Sequence, residues 1–122
     1  MKHQHSNRIL SRTNFQRSSL LKNLTSSLLK HGSITTTEAK GKELRRFFEP
    51  LVTLARLELT LHRRRQLLQQ LGKPTDLPAL LAVAAANQTR PGGYLRLTKL
   101  PLMRSDAASM VKVDILGSTT AK

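Results

Sequence analysis

Three consecutive hydroxyls, Thr35 to Thr37, are followed within three helical turns by the cations Lys40, Lys42, Arg45 and Arg46. Hydroxyls and cations both bind phosphate oxygens, and the amides at the start of a helix direct the positive end of its dipole at the same anions. A strand that runs into a helix here would present hydroxyls, free amides and positive charge to phosphate groups. Helix capping alone is the other interpretation of these threonines.

The charge of the whole chain favours a polyanionic partner. The 122 residues include 21 Lys and Arg but only 7 Asp and Glu, which gives a formal net charge of +14. The first 31 residues carry six of these cations and no acidic residue, and 14 of the cations lie before residue 66. Such an excess costs self-repulsion in the folded state unless a polyanion neutralises it. We therefore expect the N-terminal half to face a strongly negative partner.

The sequence does not contain the residue sets that catalytic and metal sites need. The absence of cysteine excludes disulfides, thiolate nucleophiles and cysteine-type zinc sites. His3 and His5 have no carboxylate or thiolate beside them, so a phosphate contact is favoured over a metal site. Arg104, Ser105 and Asp106 fit a polar turn better than a catalytic group, because no activating base is placed near them. We expect no catalytic residue, metal, cofactor or small-molecule substrate.

Three classes compete with an RNA-binding protein. Basic helices joined by short turns are also found in sequence-specific DNA-binding proteins. Cations opposite a leucine stripe also occur in membrane-surface modules, although few aromatic residues are present here. An enzyme is the least favoured of the three. The N-terminus MKHQHSNRILSR lacks the apolar stretch of a secretion signal, and no run of 18 apolar residues occurs, so we expect a cytoplasmic protein without a membrane partner.

Capping signals and helical periodicity predict four helices. Thr13 and Gln16 have capping-box spacing at the start of the first helix, and Gly32 is expected to end it. Thr35 and Glu38 have the same spacing at the start of the second. The second helix carries an apolar stripe made of Leu44, Phe47, Phe48, Leu51, Val52, Ala55 and Leu59. The third and fourth helices are expected at Leu61 to Leu71, with Arg63 to Arg65 in its first turns, and at Asp76 to Ala86.

Alternating apolar residues predict two strands near the C-terminus. In YLRLTKL and MVKVDIL, every second side chain is apolar, which is typical of a half-buried strand, and the polar segment between them favours an antiparallel hairpin. Ser33 to Thr37 is the candidate for a third strand. The predicted order is helix, strand, three helices and two strands, an α+β fold with a small antiparallel sheet. Tyr94 suits either the edge of the core or a stacking contact with a base.

The residues resemble a known family, that of the bacterial-type large-subunit ribosomal protein seventeen. The resemblance covers about residues 1 to 116. Its central block is Lys30-His31, Thr36-Thr37, Lys40 to Arg46 and Glu49 to Ala55. The N-terminal block is Met1, His3, Arg8, Leu10, Arg12, Arg17, Asn23 and Leu28, and the C-terminal block is Arg90, Gly92, Gly93, Tyr94, Arg96, Lys99, Arg104, Asp106, Ala108 and Met110. The chain departs from the family at Gln4, Gln16, Gly32 and Ser105, and between Gly72 and Thr89 it has little similarity to it.

The resemblance implies a two-layer structural protein of the ribosome without catalytic activity. It implies binding to large-subunit ribosomal RNA on the solvent side near the polypeptide exit tunnel, beside neighbouring ribosomal proteins. Together with the charge pattern, it predicts an RNA-binding set made of Lys2, His3, Arg8, Arg12, Arg17, Lys22, Asn23, Lys30, His31, Thr36, Thr37, Lys40, Lys42, Arg45, Arg46, Arg63, Arg64, Arg90, Gly92, Gly93, Tyr94, Arg96 and Arg104. Glu38 and Glu43 are expected to moderate the basic stretch as capping and intrahelical partners. We expect a basic arm at 1–12, one globular domain at 13–116 and a tail at 117–122.

Overall fold

The computed structural model describes residues 3–101 and 104–117. Within those residues the chain forms four helices and three strands in the predicted order. The helices are α1 (Asn14–His31), α2 (Glu38–Arg56), α3 (Leu61–Leu71) and α4 (Leu77–Ala86), with a short 3-10 turn at Pro74–Asp76. The strands are β1 (Ser33–Thr37), β2 (Leu95–Lys99) and β3 (Met110–Ile115). The predicted α+β class is therefore confirmed.

The three strands form one antiparallel sheet in the order β1-β3-β2. This confirms both the C-terminal hairpin and the third strand at Ser33–Thr37. Val113 lies opposite Ile34 on one side and Leu97 on the other, and this row faces the core. Lys112, one position earlier, is exposed. The predicted alternation along the last strand therefore has the correct register.

Helix α2 is the central element of the core and contacts all three strands and the other three helices. The buried part of its predicted stripe consists of Leu44, Phe48, Leu51, Val52 and Ala55. The helix also approaches the sheet closely at Gly41. A Cβ atom at this position would lie 2.8 Å from Val111 Cγ2 and 3.3 Å from Leu97 Cδ2. Only a residue without a side chain therefore fits here without displacing the strands.

The predicted ends of α1 are confirmed. The Thr13 hydroxyl accepts a hydrogen bond from the Gln16 amide at 3.4 Å, and the Gln16 side chain accepts one from the Thr13 amide at 3.3 Å. Gly32 ends the helix with φ of 73° and donates its amide hydrogen to the Leu28 carbonyl at 2.8 Å. Glycine adopts this left-handed conformation at little cost. Gly72 ends α3 in the same way.

Two predictions about α2 are wrong. The residue that precedes the helix is Thr37, not Thr35, and its side chain makes no capping hydrogen bond. Thr35 instead lies within β1 opposite Lys112, because pairing with β3 extends the strand to Thr37. Leu59 does not belong to the buried stripe, since α2 ends at Arg56 and Leu59 is 41% exposed. The helix does continue through Pro50 to Arg56.

Candidate nucleic-acid interface

The N-terminal arm, residues 3–12, is held against α1 and α2 by hydrogen bonds from arginines to its backbone. Arg17 donates to the carbonyls of Ile9 and Arg12, both at 3.3 Å, and Arg12 donates to the Leu10 carbonyl at 2.8 Å. Arg46 on α2 donates to the backbone carbonyl and the hydroxyl of Ser6. An arginine has five donors, so these side chains keep further N–H groups for an external partner.

Glu43 is the acidic residue that ties the arm to α2. Its carboxylate lies 3.1 Å from the Arg8 guanidinium and 3.8 Å from that of Arg46, and its side chain is only 5% exposed. A buried carboxylate needs such partners, because burial of an unpaired charge is costly. Glu43 therefore brings two predicted RNA-binding residues together, and its predicted role as an intrahelical partner is confirmed for Arg46.

Glu38 occupies the start of α2, where a phosphate group was expected. Its carboxylate lies 2.8 Å from Lys42 and 4.0 Å from Lys99, and its amide donates to the Ser109 carbonyl at 3.0 Å. The hydrogen bond and charge of Lys42, and then the charge of Lys99, hold the pKa of Glu38 below its usual value. The positive end of the α2 dipole therefore already has a carboxylate of the chain itself beside it, in the place where a phosphate was expected.

The three threonine hydroxyls do not form one row. Side chains alternate across a strand, and Thr35 is exposed, Thr36 is buried and Thr37 is half-buried. The expectation that residues 35–37 present hydroxyls and free amides together to phosphates is therefore wrong. Thr36, a predicted RNA-binding residue, faces the core instead.

Tyr94 is a core residue. It is fully buried, its hydroxyl accepts from Arg56 at 2.5 Å and donates to the Arg90 carbonyl at 3.3 Å, and the Arg56 guanidinium lies 5.8 Å from the ring centroid. Arg56 also donates to the Gln88 carbonyl at 2.7 Å. The ring joins the end of α2 to the loop before β2. Of the two positions considered for Tyr94, the core is the one observed, so this member of the predicted RNA-binding set is not free to stack on a base.

The other predicted residues lie at or near the surface. The exposed ones are His3, Arg8, Asn23, Lys30, His31, Lys42, Arg45, Arg46, Arg64, Arg90, Gly92, Gly93, Arg96 and Arg104, and the half-buried ones are Arg12, Arg17, Lys22, Thr37, Lys40 and Arg63. Lys2 lies outside the described residues. Arg104 pairs with Asp106 at 3.3 Å, and the Asp106 carboxylate accepts from the Ala108 amide, as in a polar turn. The turn and the arm meet at one pocket, which Arg8, Ala108 and Ser109 line together with the start of α2.

The exposed face of the sheet adds residues that the predicted set did not include. Thr35, Lys112 and Thr98 form one row across the three strands, and all three are exposed. In the next row Arg96 lies opposite Asp114, which pairs with Lys112 at 3.5 Å. The alternation of β3 already indicated that Lys112 points outward. Its charge, taken together with the strand register, would have been enough to include it in the predicted set.

Most cations have no acidic partner in the part of the chain that the structure describes. Its six ion pairs involve only four carboxylates and six of the Lys and Arg residues. The side chains of Arg45, Arg64 and Arg65 make neither ion pairs nor hydrogen bonds with other described residues, whereas Arg63 donates to the Glu58 carbonyl at 2.6 Å. The surface is therefore strongly positive over α2, α3 and the arm.

Residues 3–101 and 104–117 contain no group of three or more His, Asp or Glu side chains placed to hold a metal ion. Among the same residues, no helix is both long and apolar enough to cross a membrane.

The fold and surface define a small, basic α+β protein whose surface cations far outnumber their internal partners. Residues 20–116 match the sequence model of the family described as ribosomal protein L17. The chain belongs to the ribosomal protein L17 family. This agrees with the resemblance found from its sequence motifs.

Curated relatives cover nearly the whole chain. The large ribosomal subunit protein bL17 of Gemmatimonas aurantiaca is 44% identical over 117 residues, which is 95% of this chain and 98% of the relative. The protein of the same name from Lawsonia intracellularis is 45% identical over 116 residues, 93% and 91% of the two chains. The one from Desulforapulum autotrophicum is 40% identical over 117 residues, 95% and 97% of the two chains.

Family membership fixes the general role. The chain is a structural, non-enzymatic component of the large ribosomal subunit, and the predicted location in cytoplasmic ribosomes is confirmed. The family is none of the three competing classes, which were DNA-binding proteins, membrane-surface modules and enzymes. The division into arm, domain and tail stays a prediction, and residues 118–122 of the tail lie outside the described residues.

Proposed function

We propose that this protein binds large-subunit ribosomal RNA through the cations of the arm, α2 and α3. The observation that carries the proposal is the small number of internal ion pairs, which leaves most of the described Lys and Arg residues without an acidic partner. Folded RNA supplies phosphates at close spacing across curved surfaces. RNA is therefore the partner whose charge would offset this excess.

The arm contributes a surface that is already ordered in the free protein. Arg17 and Arg46 fix its backbone, and Arg8 is anchored on Glu43. Less conformational entropy is lost on binding when the binding segment is held in place beforehand. Arg45, Arg64 and Arg65 extend the positive surface from the arm along α2 and α3. Tyr94 and Thr36 are left out of this interface, because their side chains are buried.

The exposed sheet face forms a second part of the interface. The row of Thr35, Lys112 and Thr98 combines two hydroxyls with one cation, and Arg96 lies beside it. Hydroxyls and cations suit contacts with phosphates and with the 2′-hydroxyls of RNA. No aromatic side chain belongs to these two rows, which indicates backbone contacts there rather than base stacking.

The place on the ribosome is inferred from the family resemblance. The proposed place is the solvent side of the large subunit near the polypeptide exit tunnel, beside other ribosomal proteins. These neighbours and the RNA are the proposed partners, and neither a membrane nor a small-molecule substrate is among them. The proposed role is to support translation by stabilising folded RNA.

A crosslinking map of the chain on intact ribosomes tests this proposal. We expect RNA crosslinks from the arm, from α2 and α3 around Arg45 and Arg64, and from the sheet face around Lys112. The crosslinked nucleotides should lie near the tunnel exit on the solvent side. Crosslinks to RNA that come only from the Arg104 turn, or crosslinks to proteins alone, would contradict the proposed interface.

A further inference from the structure

Among the Phe and Tyr side chains, all of which the structure describes, Phe15 is the one that the fold leaves largely open to solvent. The chain has three Phe and one Tyr, all within the described residues. Phe48 and Tyr94 are fully buried and Phe47 is packed against the core, whereas Phe15 is 81% exposed in the first turn of α1. It contributes nothing to the core, so packing does not explain an aromatic residue at this position.

A cationic groove lies farther along α1, on the helix face that Phe15 shares through its spacing from Ser19 and Lys22. This groove, about 190 Å³ in volume, is lined by Ser19, Lys22, Asn23, Leu71, Gly72 and Lys73. None of the six is acidic, and no acidic residue occurs anywhere in residues 1–37. The stem of Lys22 is held in place over Gly72, with its Cδ atom 3.1 Å from where a Gly72 Cβ would lie. The groove thus presents two ammonium groups, a hydroxyl and an amide.

Helix geometry puts the ring and the groove within reach of one nucleotide. Ser19 follows Phe15 by one turn, about 6 Å along the helix axis, and Lys22 follows by two turns, about 10 Å along it. Residues at these spacings share a helix face. A base stacked on the ring would therefore place its own or the next phosphate over the groove.

We propose that Phe15 stacks on an unpaired base of ribosomal RNA while Lys22 and Lys73 hold the adjoining phosphate. The inference rests on the proposed RNA-binding function and adds the class of RNA that is recognised, a loop or bulge with an accessible base. Exposed aromatic residues among cations are the usual platform for unstacked bases. Neither the six residues that line the groove nor residues 1–37 include a carboxylate. This favours RNA over a protein partner, because a protein would have to supply a matching excess of acidic residues.

Salt titrations of RNA binding separate stacking from charge contacts. The probe is protein-free large-subunit ribosomal RNA transcribed from the genome that encodes this chain. Phe15→Ala should weaken binding about 5- to 150-fold, the range for loss of one stacked base, without changing the slope of log K against log salt. Lys22→Gln and Lys73→Gln should each reduce that slope by about 0.7 to 0.9. Phe15→Tyr should retain binding.

Two further variants serve as control and reporter. Leu57 is 50% exposed between α2 and α3 and does not line the groove, so Leu57→Ala removes an exposed apolar side chain and should leave affinity unchanged. The chain has no tryptophan, so Phe15→Trp introduces a single indole at the proposed platform. Its fluorescence should be quenched when RNA binds. Because Phe15 is exposed, its variants should fold. Thermal unfolding of the free proteins would check that all the variants are folded.

The outcomes distinguish the inference from the function on which it rests. If the wild-type protein does not bind the RNA, the proposed function fails. If the wild-type protein binds but Phe15→Ala binds equally well, or the indole emission does not change, the stacking inference is overturned and the function stands. Loss of subunit incorporation by Phe15→Ala with unchanged RNA affinity would assign the ring to a protein neighbour and would also overturn the inference.

Discussion

The Arg8 guanidinium lies 3.1 Å from the carboxylate of Glu43, although 35 residues separate the two along the chain. Glu43 sits inside the basic stretch from Lys40 to Arg46, and its side chain is almost completely buried. Arg46 lies 3.8 Å from the same carboxylate. One acidic residue thus anchors the N-terminal arm while the surrounding cations remain at the surface.

Glu43→Gln should loosen the arm more than it destabilises the protein. The two arginines are each nearly half exposed, so the loss in unfolding free energy should be only about 1 kcal/mol. Backbone amides in residues 5–12 should exchange hydrogen faster, as measured by mass spectrometry on the free protein. Glu49→Gln is the control, because Glu49 forms no ion pair among the described residues. Equal exchange rates in both variants would show that Glu43 does not hold the arm.

Tyr94→Phe should destabilise the fold although the ring is retained. The variant loses the hydrogen bonds with Arg56 and with the Arg90 carbonyl, at a site where the hydroxyl has no access to water. A loss of about 1 to 2 kcal/mol in unfolding free energy is expected from urea titration. RNA affinity at a temperature where the variant is folded should be unchanged. A stable variant with weakened RNA binding would instead place the hydroxyl in the interface.

Gly41→Ala should be destabilising within a helix, where alanine is normally preferred. The gain in helix propensity is about 1 kcal/mol, whereas forcing a methyl group to within 2.8 Å of Val111 Cγ2 costs about 1 to 3 kcal/mol. The net effect on unfolding free energy should be a loss. Gly92→Ala is the comparison, because no atom lies within 4 Å of a Cβ at that position. A gain in stability for Gly41→Ala would mean that α2 can move away from the sheet.

The stabilising contribution of Glu38 should depend on pH. The contacts with Lys42 and Lys99 lower the pKa of Glu38 below its ordinary value of 4.5 in the folded state. A group with a lowered folded-state pKa stabilises the protein above its unfolded pKa and loses that contribution as the pH falls through the folded value. Glu38→Gln should therefore be less stable than the wild type at pH 7 and equally stable near about pH 2. Glu58→Gln removes no ion pair among the described residues and should show no such change with pH. A stability difference between Glu38→Gln and the wild type that persists in acid would rule out the titration of Glu38 as the cause.

Local signals were sufficient to predict most of the elements. The capping box at Thr13, the glycines that end α1 and α3, and the alternation around Val113 depend on neighbours within a few residues, which is why the sequence reports them directly. The start of α2 was misplaced for the opposite reason. Pairing of Thr37 with Met110, distant in sequence, decides where the strand ends and therefore which threonine precedes the helix.

The site was less predictable than the fold. Charge density indicates which half of the chain is basic, but it does not show which cations are already engaged. Arg46 and Arg17 bind arm carbonyls through contacts that no local pattern encodes, and Tyr94 became a core residue through its contact with Arg56. At the sheet, the alternation along β3 was sufficient to predict that Lys112 points outward. The row that it forms with Thr35 and Thr98 depends on the pairing of β3 with β1 and β2, which the sequence does not show.

The salt dependence of binding to protein-free large-subunit ribosomal RNA tests the central claim most directly. If unpaired cations contact phosphates, log K for the wild type should fall linearly with log salt, and the combined replacement of Arg45, Arg64 and Arg65 by Gln should reduce the slope by about 2 to 3. Replacement of the same three by Lys keeps the charges and should keep the slope. A wild-type affinity that does not respond to salt, or a slope that the Gln replacements leave unchanged, would contradict the account.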